Sequence, residues 1–384
     1  MESYTEMFKH VAAYIDTVEE VQPPPLHSQL GDTWWGHIIR EWEINSKEGE
    51  LSEDFFKKSR DVLECYQLGY SCLLQVCNRK GVEEGEVAEQ IKELLLKPQS
   101  SQRSGEWYKE MKEVLSASEF YQLFGAPRAR AQLVMTKVAA AQQPEGDTEQ
   151  MITSQRKSCL TVEMTPMDWG IRFEPVAKQF LEAKWQATIA EMGRLHHPTR
   201  KGLAASPDGL IQYANAKEII GDLVEIKCPS SRVIGKLVPP SYWYQMQLQL
   251  EVTGRPVCQY AEFNFRSFTA QKPETCEPPQ EYHEKGLIYL VQNEALCELK
   301  YLYGPLGNLE WVPAVEDGWE IVERIPWYLE KYWIQPVVRD EAWFQSILPL
   351  IDAFWEDVQK ARKGEFAVPE SSVKKKVAAC AIID

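Results

Sequence analysis

The stretch from Leu203 to Pro229 sets the strongest limit on what this chain can become. It reads Leu-Ala-Ala-Ser-Pro-Asp-Gly-Leu-Ile, then a polar insert, then Asp-Leu-Val-Glu-Ile-Lys-Cys-Pro. Asp208 sits in a small-residue turn at the end of one apolar run. Glu225 and Lys227 stand two apart in a β-rich run with Leu223, Val224 and Ile226. A strand alternates its faces, so Glu225 and Lys227 point one way while Val224 and Ile226 point the other. If two adjacent strands bring Asp208 beside Glu225, one sheet face carries two carboxylates and an ammonium. A Mg²⁺-dependent phosphodiesterase requires that set: hard oxygen ligands for the ion, and a cation to orient water and offset phosphate charge.

The rest of the chain supplies ample core for such a sheet. It has 384 residues, 44% of them hydrophobic, enough for one large domain with appendages or for two domains. The net charge of -15 argues against indiscriminate coating of nucleic acid, but leaves room for a local basic groove. Nine scattered cysteines with no CxxC spacing read as reduced thiols. No signal peptide opens the chain and no apolar run reaches membrane-spanning length. The expected setting is intracellular and away from membranes, in the cytoplasm or nucleus of a host cell if the source is viral. Lys374–Lys376 lie in a tail, read as flexible over 365–384.

Residues 1–100 read as a helical accessory region, with helices over Met1–Val21, around Trp34–Trp42, over Phe55–Val76 and over Glu83–Leu95. Pro98–Gly105 has linker composition. Ser118 with Glu119 reads as a helix start before Phe120, Leu123 and Phe124, and such an end suits a phosphate. Ala141–Ser158 reads as a loop. In Thr165–Trp185, Phe173, Ala177, Phe180 and Leu181 make one apolar stripe, with Glu174 beside it. Tyr242–Gly254 is ambiguous: Gln245, Gln247 and Gln249 alternate as in a strand, yet Tyr242, Gln245 and Gln249 share a helical face. Cys258–Phe268, Gly286–Gln292 and Glu298–Tyr303 read as strands, and Trp343–Arg362 as one closing helix.

The ordered set Ser118, Glu174, Ser206-Pro207-Asp208-Gly209, Glu225-Ile226-Lys227 and Gln245 resembles the PD-(D/E)XK nuclease superfamily. It is most similar to the phage-lambda-type and viral alkaline exonuclease branch. Trp107 leading to Ser116-Ala117-Ser118, Trp169-Gly170 before Glu174, and Tyr242 with Gln245 ending in Val252-Thr253 carry the closer likeness. The last of these favours a helix over Tyr242–Gly254. A D…ExK pattern alone is weak; these motifs together in this order are specific. The resemblance spans roughly residues 103–362. It implies an α/β fold with a restriction-endonuclease-like core, a central mixed β-sheet flanked by helices, in a domain over 101–364.

By the same resemblance, Asp208, Glu225, the backbone carbonyl of Ile226 and Glu174 hold Mg²⁺, for which Mn²⁺ can substitute. Lys227 positions and helps deprotonate the attacking water, and Gln245 orients Lys227 or the phosphate. Ser118 and Ser206 hold a terminal 5′ phosphate. One departure stands out. The family places an arginine seven residues before Ser118, and this chain has Met111 there. Lys112, Arg103 and Arg128 are the candidate replacements, with Arg130 in reserve. The leading expectation is a 5′-to-3′ exonuclease on linear double-stranded DNA, working in recombination, repair or genome processing. A single-strand annealing protein and a homo-oligomer are its implied partners. An endonuclease or RNase of the same fold, and a catalytically idle DNA-binding scaffold, are the alternatives.

Overall fold

The structure is a computed structural model that describes residues 84–102, 104–111, 113–142, 164–234, 237–267, 281–296 and 298–369. The helices expected over 1–83, both Arg103 and Lys112, and the end of the tail lie outside the described residues. In chain order the elements are α1 (Glu84–Leu96), α2 (Gly105–Glu110), β1 (Leu115–Ser116), a 3₁₀ helix (Ala117–Phe124), α3 (Pro127–Gln142), α4 (Pro166–Trp185), β2 (Thr188–Ala190), β3 (Leu195–His196), β4 (Leu203–Ala205), β5 (Gly209–Tyr213), β6 (Leu223–Lys227), α5 (Pro240–Thr253), β7 (Val257–Ser267), β8 (Glu284–Asn293), β9 (Glu298–Tyr303), β10 (Glu320–Val338), α6 (Glu341–Ser346) and α7 (Leu348–Arg362).

Seven strands form the central sheet in the order β2-β5-β6-β7-β10-β8-β9, and a small sheet has the order β1-β4-β3. The central sheet is mixed, as the motifs implied. Only β6 and β7 pair in parallel within it, and the other neighbours run antiparallel. A parallel pair needs a long crossover, and α5 is that crossover. It is laid across the face on which Glu225 and Lys227 lie, so the topology itself sets α5 over the acidic strand.

The sheet is sandwiched. On one side Phe173, Ala177 and Leu181 of α4, spaced four apart, pack fully buried against Val224 and Ile226 of β6 and Phe263 of β7. Each large side chain so buried contributes roughly 1.5–3 kcal/mol. On the other side α5 joins Leu115, Phe120, Trp343 and Phe354 in a second cluster. α1 belongs to this cluster through Ile91 and Leu94. Ser100 and Gln102 of the expected linker are tied down rather than loose. Ser100 bridges to Arg194, and Gln102 Nε2 donates to the carbonyls of Met192 (3.2 Å) and Pro207 (3.1 Å).

Two expectations change, and one ambiguity resolves as the resemblance implied. Tyr242–Gly254 is a helix, Pro240–Thr253, buried from Trp243 to Thr253. A helix covered on all sides carries no amphipathic stripe, which is why its periodicity was ambiguous. The closing helix is two helices, broken at Ile347, because Pro349 lacks an N–H and fits only a first turn. The 3₁₀ helix begins after Ser116, not at Ser118, and the Ser116 N–H donates to Glu119 Oε1 at 2.8 Å.

Candidate active site

β5 and β6 run antiparallel with Gly209 opposite Val224. Asp208, one residue before β5, therefore reaches the far end of β6. Its Oδ2 accepts the Ile226 N–H at 2.7 Å. Glu225 lies fully buried on the α5 side of β6. Lys227, two residues on, ion-pairs with its Oε1. From one helical turn apart on α5, Gln245 Nε2 donates to Glu225 Oε1 (2.7 Å) and Gln249 Nε2 to Oε2 (2.6 Å). Glu174 reaches the same place from α4 on the opposite layer, beside Pro175, which leaves the Ile171 carbonyl without its intrahelical donor.

The electrostatics follow from this crowding. Burial pushes the Asp208 carboxyl well above the usual carboxylate range. The negative charges of Glu225 and Glu174 push it further, while Lys227 and the Ile226 hydrogen bond oppose the shift. Burial alone would lower the Lys227 ammonium, but Glu225 and Asp208 outweigh it and hold the lysine above its ordinary value. Its Nζ also stands 4.9 Å from the Tyr242 ring centroid. Like charges confined in a low-dielectric pocket do not all ionise without a compensating cation. The donor set is all oxygen, which suits a hard divalent ion rather than zinc or copper. Among the described residues, however, no group of three His, Cys, Asp or Glu side chains is set closely enough to hold an ion as placed. Glu225 is turned onto Lys227 and the two glutamines instead.

These groups line a cleft of about 690 Å³. Glu174, Asp208, Ile226, Lys227, Gln245, Ser118 and Ser206 all border it, with Glu225 just beneath. Ser206 Oγ accepts the Trp107 indole N–H at 3.1 Å, and the Ser116 and Ser118 hydroxyls are 3.3 Å apart. The basic candidates fare differently. Met111 borders the cleft and brings no charge. Arg128 is exposed on α3 and borders no part of the cleft, and Arg130 is taken up by Asp357 at 2.6 Å. Neither borders the cleft; α3 packs on α7 and on the 3₁₀ helix.

Two site residues escaped the sequence reading. Gln249 was visible as one of three alternating glutamines and on a helical face with Tyr242 and Gln245, but its grip on Glu225 needed the helix to be fixed first. Arg194 is a lone arginine after Gly193 with no motif around it, buried at 1% exposure against Trp107.

With this geometry in place, comparison with known proteins is decisive on one point. Residues 106–256 match the YqaJ-like viral recombinase domain. This domain is of the PD-(D/E)XK nuclease superfamily, which the motifs resemble. The YqaJ-like match runs from α2 to the end of α5 and so takes in every residue of the cleft floor named above. A curated relative, an uncharacterized protein of Acanthamoeba polyphaga mimivirus, is 23% identical over 305 residues. That is 68% of this chain and 53% of the relative, so the chain spans about half of that protein's length. Among solved structures, the chain is similar to an alkaline exonuclease from Laribacter hongkongensis (18% identity, 68% of this chain and 95% of that one, TM-score 0.39). It is also similar to a phage-related exonuclease from Haemophilus somnus (14%, 66% and 95%, TM-score 0.29). At these scores both likenesses are distant. No described helix around the YqaJ-like domain is long and apolar enough to cross a membrane.

Proposed function

We propose that the chain is a divalent-metal-dependent deoxyribonuclease that hydrolyses phosphodiester bonds in linear duplex DNA from a 5′ end. The observation that carries this reading is the meeting of Glu174 of α4, Asp208 just before β5 and Glu225 of β6 with Lys227, at and just beneath one cleft. The match to a viral recombinase domain supports the same conclusion, since recombination consumes the single strand that one-strand digestion leaves.

In this reading Asp208, Glu225, Glu174 and the Ile226 carbonyl hold Mg²⁺ or Mn²⁺. The ion supplies charge neutralisation at the scissile phosphate and a lowered pKa for water. The protein's own residues do the remainder. Lys227 is held protonated by its two carboxylate neighbours, so it enters as a donor that orients the attacking water and faces the phosphate oxygens. Gln245 and Gln249 fix the Glu225 carboxylate from the α5 side. Asp208 is fixed by the Ile226 N–H. Ser118 and Ser206 border the cleft as hydroxyl donors for phosphate oxygens. The implied homo-oligomer and single-strand annealing partner belong to the same reading and rest on the family likeness. So does the division into a helical region over 1–100 and a nuclease domain over 101–364.

The test is digestion, in Mg²⁺, of an end-labelled linear duplex, a covalently closed circle and an RNA duplex in parallel. Loss of the linear DNA label from the 5′ side, with the circle intact, is the expected result. Cutting of the circle or of RNA moves the assignment to an endonuclease or RNase of the same fold. No hydrolysis of any of the three leaves a DNA-binding scaffold.

A further inference from the structure

Arg194 sits just before β3 and its side chain is 1% exposed. One end of its guanidinium is spoken for. Nη1 donates to the Trp107 carbonyl and stands 3.7 Å from Glu110 Oε2, and the group lies 4.1 Å over the Trp107 ring. The other edge is not. Nε and Nη2 are both buried and have no acceptor among the described residues. A buried charged donor left unsatisfied is costly, and two on one side chain are more so. Nε–H and Nη2–H share one edge of the planar group, the fork that meets two oxygens of an oxyanion at once.

Arg194 borders the same cleft as the carboxylates. The cleft therefore has two chemically opposite walls. Asp208 and Glu174 form an acidic one. Arg194 forms a cationic one, and Ser118 and Ser206 add hydroxyls. Met111, which also borders the cleft, contributes no charge to either.

We propose that Arg194 is the clamp for a terminal phosphate of a DNA strand. It supplies from the segment before β3 the cation that position 111 lacks. Its depth decides for an end over an internal phosphodiester: a strand that continues past the site cannot seat a phosphate against a fully buried fork, whereas a strand terminus can. The assignment rests on the nuclease reading for the identity of the anion, and its test separates the two.

Binding of short duplexes carrying a 5′ phosphate, a 3′ phosphate or neither is measured by anisotropy in Ca²⁺, for the parent, Arg194→Lys and Ser206→Ala. The parent is expected to hold one phosphorylated end about tenfold or more tighter than the bare end. That ratio falls several-fold in Arg194→Lys, which keeps the charge and loses the fork, and also in Ser206→Ala. Equal binding of all ends by the parent overturns the assignment, as does an undiminished ratio in Arg194→Lys. If Arg194→Lys does not fold, Arg194→Gln, which keeps N–H donors and loses the charged fork, decides in the same way. A parent that prefers phosphorylated ends but hydrolyses nothing in Mg²⁺ sinks the nuclease reading and leaves the clamp standing. A parent that digests DNA yet binds every end alike does the reverse.

Discussion

Gln249 donates to the Glu225 carboxylate at 2.6 Å, on the oxygen that Lys227 and Gln245 leave open. The buried carboxylate is thus held at both oxygens, and neither glutamine touches Asp208. Gln249→Leu is expected to slow DNA hydrolysis about ten- to a hundredfold, as loss of a partner that orients a ligating group does. Gln247→Leu removes only bonds to the Val338 carbonyl and the Asp340 N–H, at the far side of the helix. It is expected to lower the melting temperature and spare the rate per folded molecule. Steady-state rates on linear duplex, corrected for folded fraction, separate the two.

Divalent ions should stabilise the fold. Asp208, Glu225 and Glu174 repel one another in a closed space, and a bound cation relieves that repulsion. At a hundredfold excess over Kd the gain is about 2–3 kcal/mol by mass action. A melting scan with and without Mg²⁺ should show a rise in the parent and little or none in Asp208→Asn. Without metal, Asp208→Asn should melt above the parent, because it deletes one of the crowded charges and keeps an acceptor for Ile226.

Gly209 follows Asp208, and a Cβ there would collide with the Ile189 side chain of β2. Gly209→Ala must push β5 off its neighbour, and Asp208 moves with the strand. The expected cost is roughly 1–3 kcal/mol of stability, with a loss of activity larger than that unfolding explains. Denaturant melts beside single-turnover rates check both halves.

Glu251 on α5 joins the small sheet to the end of β10. Its Oε2 accepts from Arg339 at 2.7 Å, and His197 Nε2 stands 3.6 Å from its Oε1. Burial pushes this carboxyl up, but His197 and Arg339 together more than offset that and hold it below its ordinary value. A depressed acid contributes stability that is complete above its unfolded pKa, near 4.3 for Glu, and is lost as pH falls through the lower folded value. Glu251→Gln should therefore be less stable than the parent near neutrality by about 1–3 kcal/mol. The gap should close as pH drops below about 4. Parent and variant that differ equally at pH 7 and pH 3 would refute the pairing.

The site was legible where its spacing is local. Period-two alternation puts Glu225 and Lys227 on one face, and Asp208, just before β5, joins them because β5 and β6 pair after one short excursion. What stayed hidden depends on distant neighbours. β10 runs 19 residues in mid-sheet with Pro326 and Pro336 inside it. Prolines argue against a central strand, yet Pro326 stands opposite Leu287 and Pro336 opposite Gln259 within unbroken stretches of register. Arg194 had no local signal. It became a site residue only because the small sheet, β1-β4-β3, carries the segment before β3 against Trp107 on α2.

The central claim is that Asp208 and Glu225 make one hydrolytic centre with Lys227. It is tested most directly by release of nucleotides from linear duplex DNA in Mg²⁺ by the parent, Asp208→Asn and Glu225→Gln, each shown to be folded by circular dichroism. The account predicts an active parent and a loss on the order of a hundredfold or more in each variant. Variants that digest DNA as fast as the parent would contradict it.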